Sequence, residues 1–140
     1  TANATTSTGV SDTPIGVTAG ASYIYNHEVG NNQADGTAIS ASLTSGSIEI
    51  GDGDQFMSVS KFVPDFTSLS KELTVTMTLE DYPQSTTSQT TSGNVSSTTQ
   101  KINVRGRGRS VKLNFVTDVV DETNWRLGSM KLQLRPDGRR

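Results

Sequence analysis

Three arginines alternate with glycines at Arg105, Arg107 and Arg109, and this row is the part of the 140-residue sequence best suited to chemistry. In an extended strand, residues two apart leave the same face at intervals of about 6.6–7 Å. A guanidinium grips phosphate or carboxylate in bidentate fashion, so the row can pair with acids of its own domain or of a neighbouring subunit, or face the phosphates of nucleic acid. A plain solvated strand edge is the third reading. No aromatic residue interleaves the arginines, so the stacking part of single-strand recognition is missing. Arg139 and Arg140 extend the basic character to the end of the sequence.

A second group with chemical potential is Gly51-Asp52-Gly53-Asp54. Alternating Asp and Gly leave room for carboxylates and backbone carbonyls to converge on calcium, yet the further acids and the terminal Glu of an EF-hand loop are absent. A structural turn at Gly51, Asp52, Gly53 and Asp54 is the expectation, since glycine tolerates positive φ. Asp52 and Asp54 remain the weak metal candidates. His27 is the only histidine. No nucleophile elbow accompanies it, and no two carboxylates are placed as a glycosidase pair, so neither a catalytic residue nor a cofactor site is expected. Trp125 offers a sugar platform or, in an apolar-alternating segment, a core anchor beside Phe115.

Charge is divided along the chain. Residues 1–100 carry two lysines against ten carboxylates, a formal −8, and residues 101–140 carry ten Lys and Arg against four carboxylates, a formal +6. Such a split steers copies head to tail, points a basic surface at a polyanion, or is neutralised across one sheet. Cysteine is absent, so disulfides and thiolate metal sites are excluded. No stretch approaches the roughly 20 apolar residues of a membrane-spanning helix. The start at Thr1 without a leader pattern reads as the terminal piece of a longer polypeptide.

The elements that must position these groups are strands. Only 31% of residues are hydrophobic, and Ser, Thr and Gly abound. Residues 1–20 are small and polar and read as an arm or linker. Tyr23 to Tyr25 begins the first strand, and Thr37 to Thr44 is the second, with Ile39, Ala41 and Leu43 on one face. Phe56 to Val63 has apolar groups on both parities, which reads as a central strand covered on both faces and ended by Pro64. The alternation from Lys71 to Glu80 puts Leu73, Val75, Met77 and Leu79 inward. Gln84 to Gln100, with eleven Ser or Thr in seventeen residues, reads as a long polar loop. Strands resume from Lys101 to Arg109 and from Val111 to Phe115. Asp118 to Glu122 is the one place for a helical turn, and Gly128-Ser129 interrupts the last segment. The sum is an all-β domain over 21–140: an antiparallel β-sandwich or flattened barrel of about seven or eight short strands.

Three stretches together resemble a known family: IEIGDGDQFMSVSKFVPDF (Ile48 to Phe66), RGRGRSVKLNF (Arg105 to Phe115) and NWRLGSMKLQLRPDGRR (Asn124 to Arg140). They are similar to the C-terminal region of virion structural proteins of short-tailed bacteriophages, in the tail-tube or nozzle class. The resemblance covers roughly Tyr23 to Pro83 and Lys101 to Arg140. It implies a non-enzymatic β-rich subunit, located in the virion tail and forming a ring around the DNA channel. Its partners would be copies of itself, other virion proteins and, non-specifically, genomic DNA. Arg105, Arg107, Arg109, Arg139 and Arg140 would then face a neighbouring subunit or DNA. The rival expectation is an adhesion or carbohydrate-binding module with Trp125, Tyr25 and Tyr82 as platforms.

Overall fold

A computed structural model describes residues 14–17, 20, 24–26, 30, 37–117 and 123–139. Twelve strands form among them: β1 (Ile15–Val17), β2 (Ile24–Asn26), β3 (Ser42–Thr44), β4 (Ile48–Glu49), β5 (Met57–Val63), β6 (Phe66–Thr67), β7 (Leu73–Glu80), β8 (Ser88–Val95), β9 (Ile102–Gly108), β10 (Ser110–Thr117), β11 (Arg126–Leu127) and β12 (Lys131–Pro136). All pairings are antiparallel, and no helix occurs among the described residues. The count exceeds the expected seven or eight because short ribbons flank the main sheets. His27, Arg140, Tyr23 and the segment from Asp118 to Glu122 lie outside the described residues.

Two sheets make the body. The larger runs β3-β10-β7-β8, with β4 also on β10, and the smaller runs β12-β5-β9. The 2-residue period of β7 aims Leu73, Val75, Met77 and Leu79 inward, all at most 2% exposed. Val111, Leu113 and Phe115 of β10 bury the neighbouring row, and Met57, Val59 and Phe62 face them from the smaller sheet. Phe62 and Phe115 meet across the sheets with ring centroids 6.4 Å apart. This arrangement is a β-sandwich, the fold class expected from the sequence.

Strand β5 is buried on one face, contrary to the two-faced expectation. Its inward positions shift from Met57 and Val59 to Phe62 because Ser60 sits at an irregularity on both sides of the strand. On β12, Gln133 and Leu134 are consecutive but oppose Lys61 and Val59, so Ser60 has no partner there. On β9, Val104 and Arg105 together oppose Ser60, between the pairs Val59↔Gly106 and Lys61↔Asn103. A bulge changes which parity faces the core, and that is why both parities looked apolar.

The polar stretch from Gln84 to Gln100 is not a loop throughout. Its middle forms β8, eight residues paired in unbroken register with β7, from Leu73↔Val95 to Glu80↔Ser88. Only Val95 of β8 is buried. The strand exists because β7 supplies a complete row of backbone partners, and threonines suit a half-solvated pleat. Ile39 and Leu43 also depart from expectation: they are 48% and 43% exposed, Leu43 on the three-residue edge strand β3 and Ile39 before that strand begins. Ile15–Val17, in the segment read as an arm, is a strand that pairs with Ile24–Asn26 beyond it as a two-stranded ribbon.

Two corners shape the site. The chain leaves β9 in the smaller sheet and enters β10 in the larger one with only Arg109 between them, its N–H donating to Glu80 O at 2.9 Å. At Gly128-Ser129 the last segment breaks, as the sequence suggested. Both amides turn onto Asp65 there, Gly128 N–H to its carbonyl at 2.7 Å and Ser129 N–H to its carboxylate at 2.7 Å.

Candidate functional site

The glycines of the arginine row are there for packing. A Cβ on Gly106 would lie 2.7 Å from Leu79 Cδ1, and one on Gly108 would lie 2.9 Å from Leu79 Cβ and 3.1 Å from Glu80 O. Strand β9 therefore crosses the end of β7 at a distance that only glycine permits. Gly106 and Gly108 are buried, while Arg105 and Arg107 on the same strand are exposed. Beyond them, Gln89 on β8 accepts from the Arg107 N–H through Oε1 at 3.0 Å. One side-chain amide thus joins edges that no backbone ladder links.

The arginines do not act as a uniform row. Arg107 donates from Nε to Asp137 Oδ2 at 2.6 Å and from Nη2 to Asp137 O at 3.2 Å, and its guanidinium carbon lies 4.0 Å from the Phe56 ring centroid. Arg109 packs between two rings, 4.8 Å from the centroid of Phe56 and 4.7 Å from that of Tyr82. These distances fall within cation–π range. The Arg109 Nε is buried without a hydrogen-bond partner, and the flanking aromatic rings supply its surroundings instead. Its Nη2 makes a long bond of 3.4 Å to Arg139 O.

These contacts fasten the end of the chain. Phe56 N–H donates to Gly138 O and Asp137 N–H donates to Phe56 O, each at 2.7 Å, and Gly138 takes φ 81°. Arg139 Nη2 then reaches Asp54 Oδ2 at 3.4 Å. Phe56, only 8% exposed, is the centre of this clasp. Phe56, Asp137 and Gln89 were not singled out as site residues in the sequence, and Tyr82 was named only as a sugar platform of the rival reading. The available signals were a ring immediately before a strand and an acid in a Pro-Asp-Gly turn, both too common to be read alone.

The Gly51–Asp54 segment is a turn, with Gly51 at φ 62° and Gly53 at φ 76°. Asp54 faces Arg139, whereas Asp52 is exposed and has no ion-pair partner among the described residues. No group of three metal-ligating side chains occurs among the described residues. The charge division is partly neutralised inside the domain. Arg139–Asp54 and Lys112–Glu80, the latter at 2.9 Å with Glu80 14% exposed, each join the basic C-terminal part to the acidic part.

Arg105 stands apart. It is exposed, has no ion-pair partner among the described residues, and lines a groove of about 610 Å³ that combines Ser58, Ser60, Gln89 and Arg107 with the apolar Val59 and Val104. The groove lies where Val104 and Arg105 bulge opposite Ser60. Hydroxyls, an amide and an open guanidinium can hold an anion there.

Phe115 is fully buried, and Trp125 is half-buried at the rim of the core. Phe66 links them edge-on, with centroid distances of 5.9 Å to Phe115 and 6.0 Å to Trp125. Trp125 neighbours Asn124, whose carbonyl accepts from Ser70 N–H before β7 begins, while Tyr82 follows the far end of β7. Eight extended residues separate those ends by about 26 Å. Trp125 and Tyr82 therefore do not share one sugar platform.

The fold and this clasp define a β-sandwich domain with an arginine–aromatic lock on its last strand. No protein-family model matches the chain, and no curated protein matches it. Among the described residues, no helix is long and apolar enough to cross a membrane.

Proposed function

We propose that this domain is a non-enzymatic structural subunit of a short-tailed bacteriophage virion, of the tail-tube or nozzle class, assembling with copies of itself around the DNA channel. The observation that carries the reading is the convergence of the three family-like stretches. Ile48 to Phe66 supplies β4, β5, Asp54 and Phe56; Arg105 to Phe115 supplies the Arg107 and Arg109 side chains; Asn124 to Arg140 supplies β11, β12, Asp137 and Arg139. Segments distant in sequence make one lock, so the resemblance falls on a single structural unit.

A load-carrying subunit suits such an arrangement, because each contact ties the chain end to the sandwich without shaping a reaction centre. The test is negative-stain imaging of particles from the native source, labelled with antibodies raised against the 140-residue domain. Label at the tail of the particle is the expected result. Label on the capsid shell, or on structures separate from particles, would refute the assignment.

A further inference from the structure

We infer that residues 137–139 form a salt-sensitive strap, which opens and closes over Phe56 while the β-sandwich stays folded. The inference goes beyond the subunit reading and does not depend on it.

The strap is set off from the strand that carries it. Strand β12 ends at Pro136, which stands opposite Met57 but has no N–H to give the ladder. Leu132 and Leu134 anchor β12 by packing against the core, whereas Asp137, Gly138 and Arg139 are exposed and bring no apolar side chain. What holds the strap is therefore polar. Two backbone bonds of 2.7 Å join it to Phe56, and two ion pairs add to them, Arg107–Asp137 at 2.6 Å and Arg139–Asp54 at 3.4 Å. The four side chains of these pairs are 43% to 74% exposed, so dissolved salt screens both.

The closed position also carries a cost. Arg109 Nε is buried without a hydrogen-bond partner, and Arg139 O rests against Nη2 of the same guanidinium at 3.4 Å, a long bond. A buried donor left unsatisfied destabilises the state that buries it. Lifting Arg139 opens one side of that guanidinium to water. The strap is thus held by contacts that salt weakens and opposed by an unsatisfied donor, whereas the sandwich beneath is held by apolar burial that such screening does not touch. Opening changes the surface at one place. It uncovers the Phe56 ring, 8% exposed when closed, and frees the N–H and C=O of the same residue.

The test is hydrogen exchange on the full 140-residue chain, read amide by amide by two-dimensional NMR. Two amides report the strap, Phe56 N–H on Gly138 O and Asp137 N–H on Phe56 O; the Arg109 N–H on Glu80 O reports the sandwich at the adjoining corner. Protection of the two strap amides should agree with each other and fall about a hundredfold or more below that of the Arg109 amide. Raising sodium chloride from about 20 mM to about 500 mM should lower strap protection about threefold and leave the Arg109 amide unchanged. Asp54→Asn and Arg139→Gln should each lower strap protection about two- to fivefold, the size of one exposed ion pair, and the double variant should go no further. Strap amides as protected as the Arg109 amide in the wild type would overturn the inference, because the segment would then open only with the whole domain. Strap protection that ignores salt would overturn the ion-pair hold, and with it the switch.

Discussion

Replacing Gly108 by Ala should destabilise the domain more than replacing Gly106, although both glycines belong to the same Arg-Gly-Arg-Gly-Arg run. Neither has a positive φ, so the substitutions probe space and not backbone conformation. In each case Ala gains about 0.5–1 kcal/mol from the lower entropy of its unfolded chain. Against this stands overpacking, which costs about 1–3 kcal/mol. At Gly106 the nearest obstacle is the Leu79 Cδ1 methyl at 2.7 Å, the end of a side chain that can turn aside. At Gly108 the obstacles are Leu79 Cβ at 2.9 Å and the Glu80 backbone, O at 3.1 Å and N at 3.2 Å. That backbone is pinned by its pairing with Ser110 and by the Arg109 N–H. The net cost should be near zero to about 1 kcal/mol for Gly106→Ala and about 2 kcal/mol for Gly108→Ala. For a domain of this size the latter lowers Tm by about 6–8 °C. Urea unfolding followed by circular dichroism, with calorimetry for Tm, measures both. Equal costs, or a neutral Gly108→Ala, would refute the argument that β9 crosses β7 at a glycine-limited distance.

Phe56→Ala should cost about 3 kcal/mol, since a nearly buried ring and two guanidinium stacks are lost; hydrogen exchange at the Asp137 amide should accelerate with it. Arg107→Ala should cost about 0.5–1 kcal/mol from the half-exposed Asp137 pair, and the loss should shrink in high salt. Lys112→Ala should cost about 1–2 kcal/mol with less salt dependence, because it leaves the mostly buried Glu80 carboxylate unpaired. Gln89→Ala should cost about 0.5–1 kcal/mol and speed exchange of the Arg107 amide selectively, a change that two-dimensional NMR resolves.

How much of this was legible depends on whether the signal was local. Strand β7 was readable because Leu73, Val75, Met77 and Leu79 alternate without interruption, and a period of two has one meaning for a half-buried strand. Phe115 was readable for the same reason on β10. Strand β8 was not, since Ser, Thr, Asn and Gln are as common in loops as on solvated pleats, and only the partner row on β7 distinguishes the two. The misreading of β5 has a related cause: a bulge at Ser60 is defined by the strands beside it, and a sequence carries no mark of their register.

The site divides in the same way. From the sequence alone came the all-β class, the absence of thiol chemistry, the turn at Gly51–Asp54 and the alternation that sends Arg105, Arg107 and Arg109 to one side. Those features depend on residue type and on neighbours within a few positions. Only the tertiary structure decided which arginines are occupied. Arg107 meets Asp137 thirty residues away, Arg109 packs between Phe56 and Tyr82, and Arg105 is left beside an open groove. A guanidinium's role is set by what lies within about 4–6 Å of it, and those neighbours are brought there by the crossing of β9 over β7 and the return of the last strand along β5.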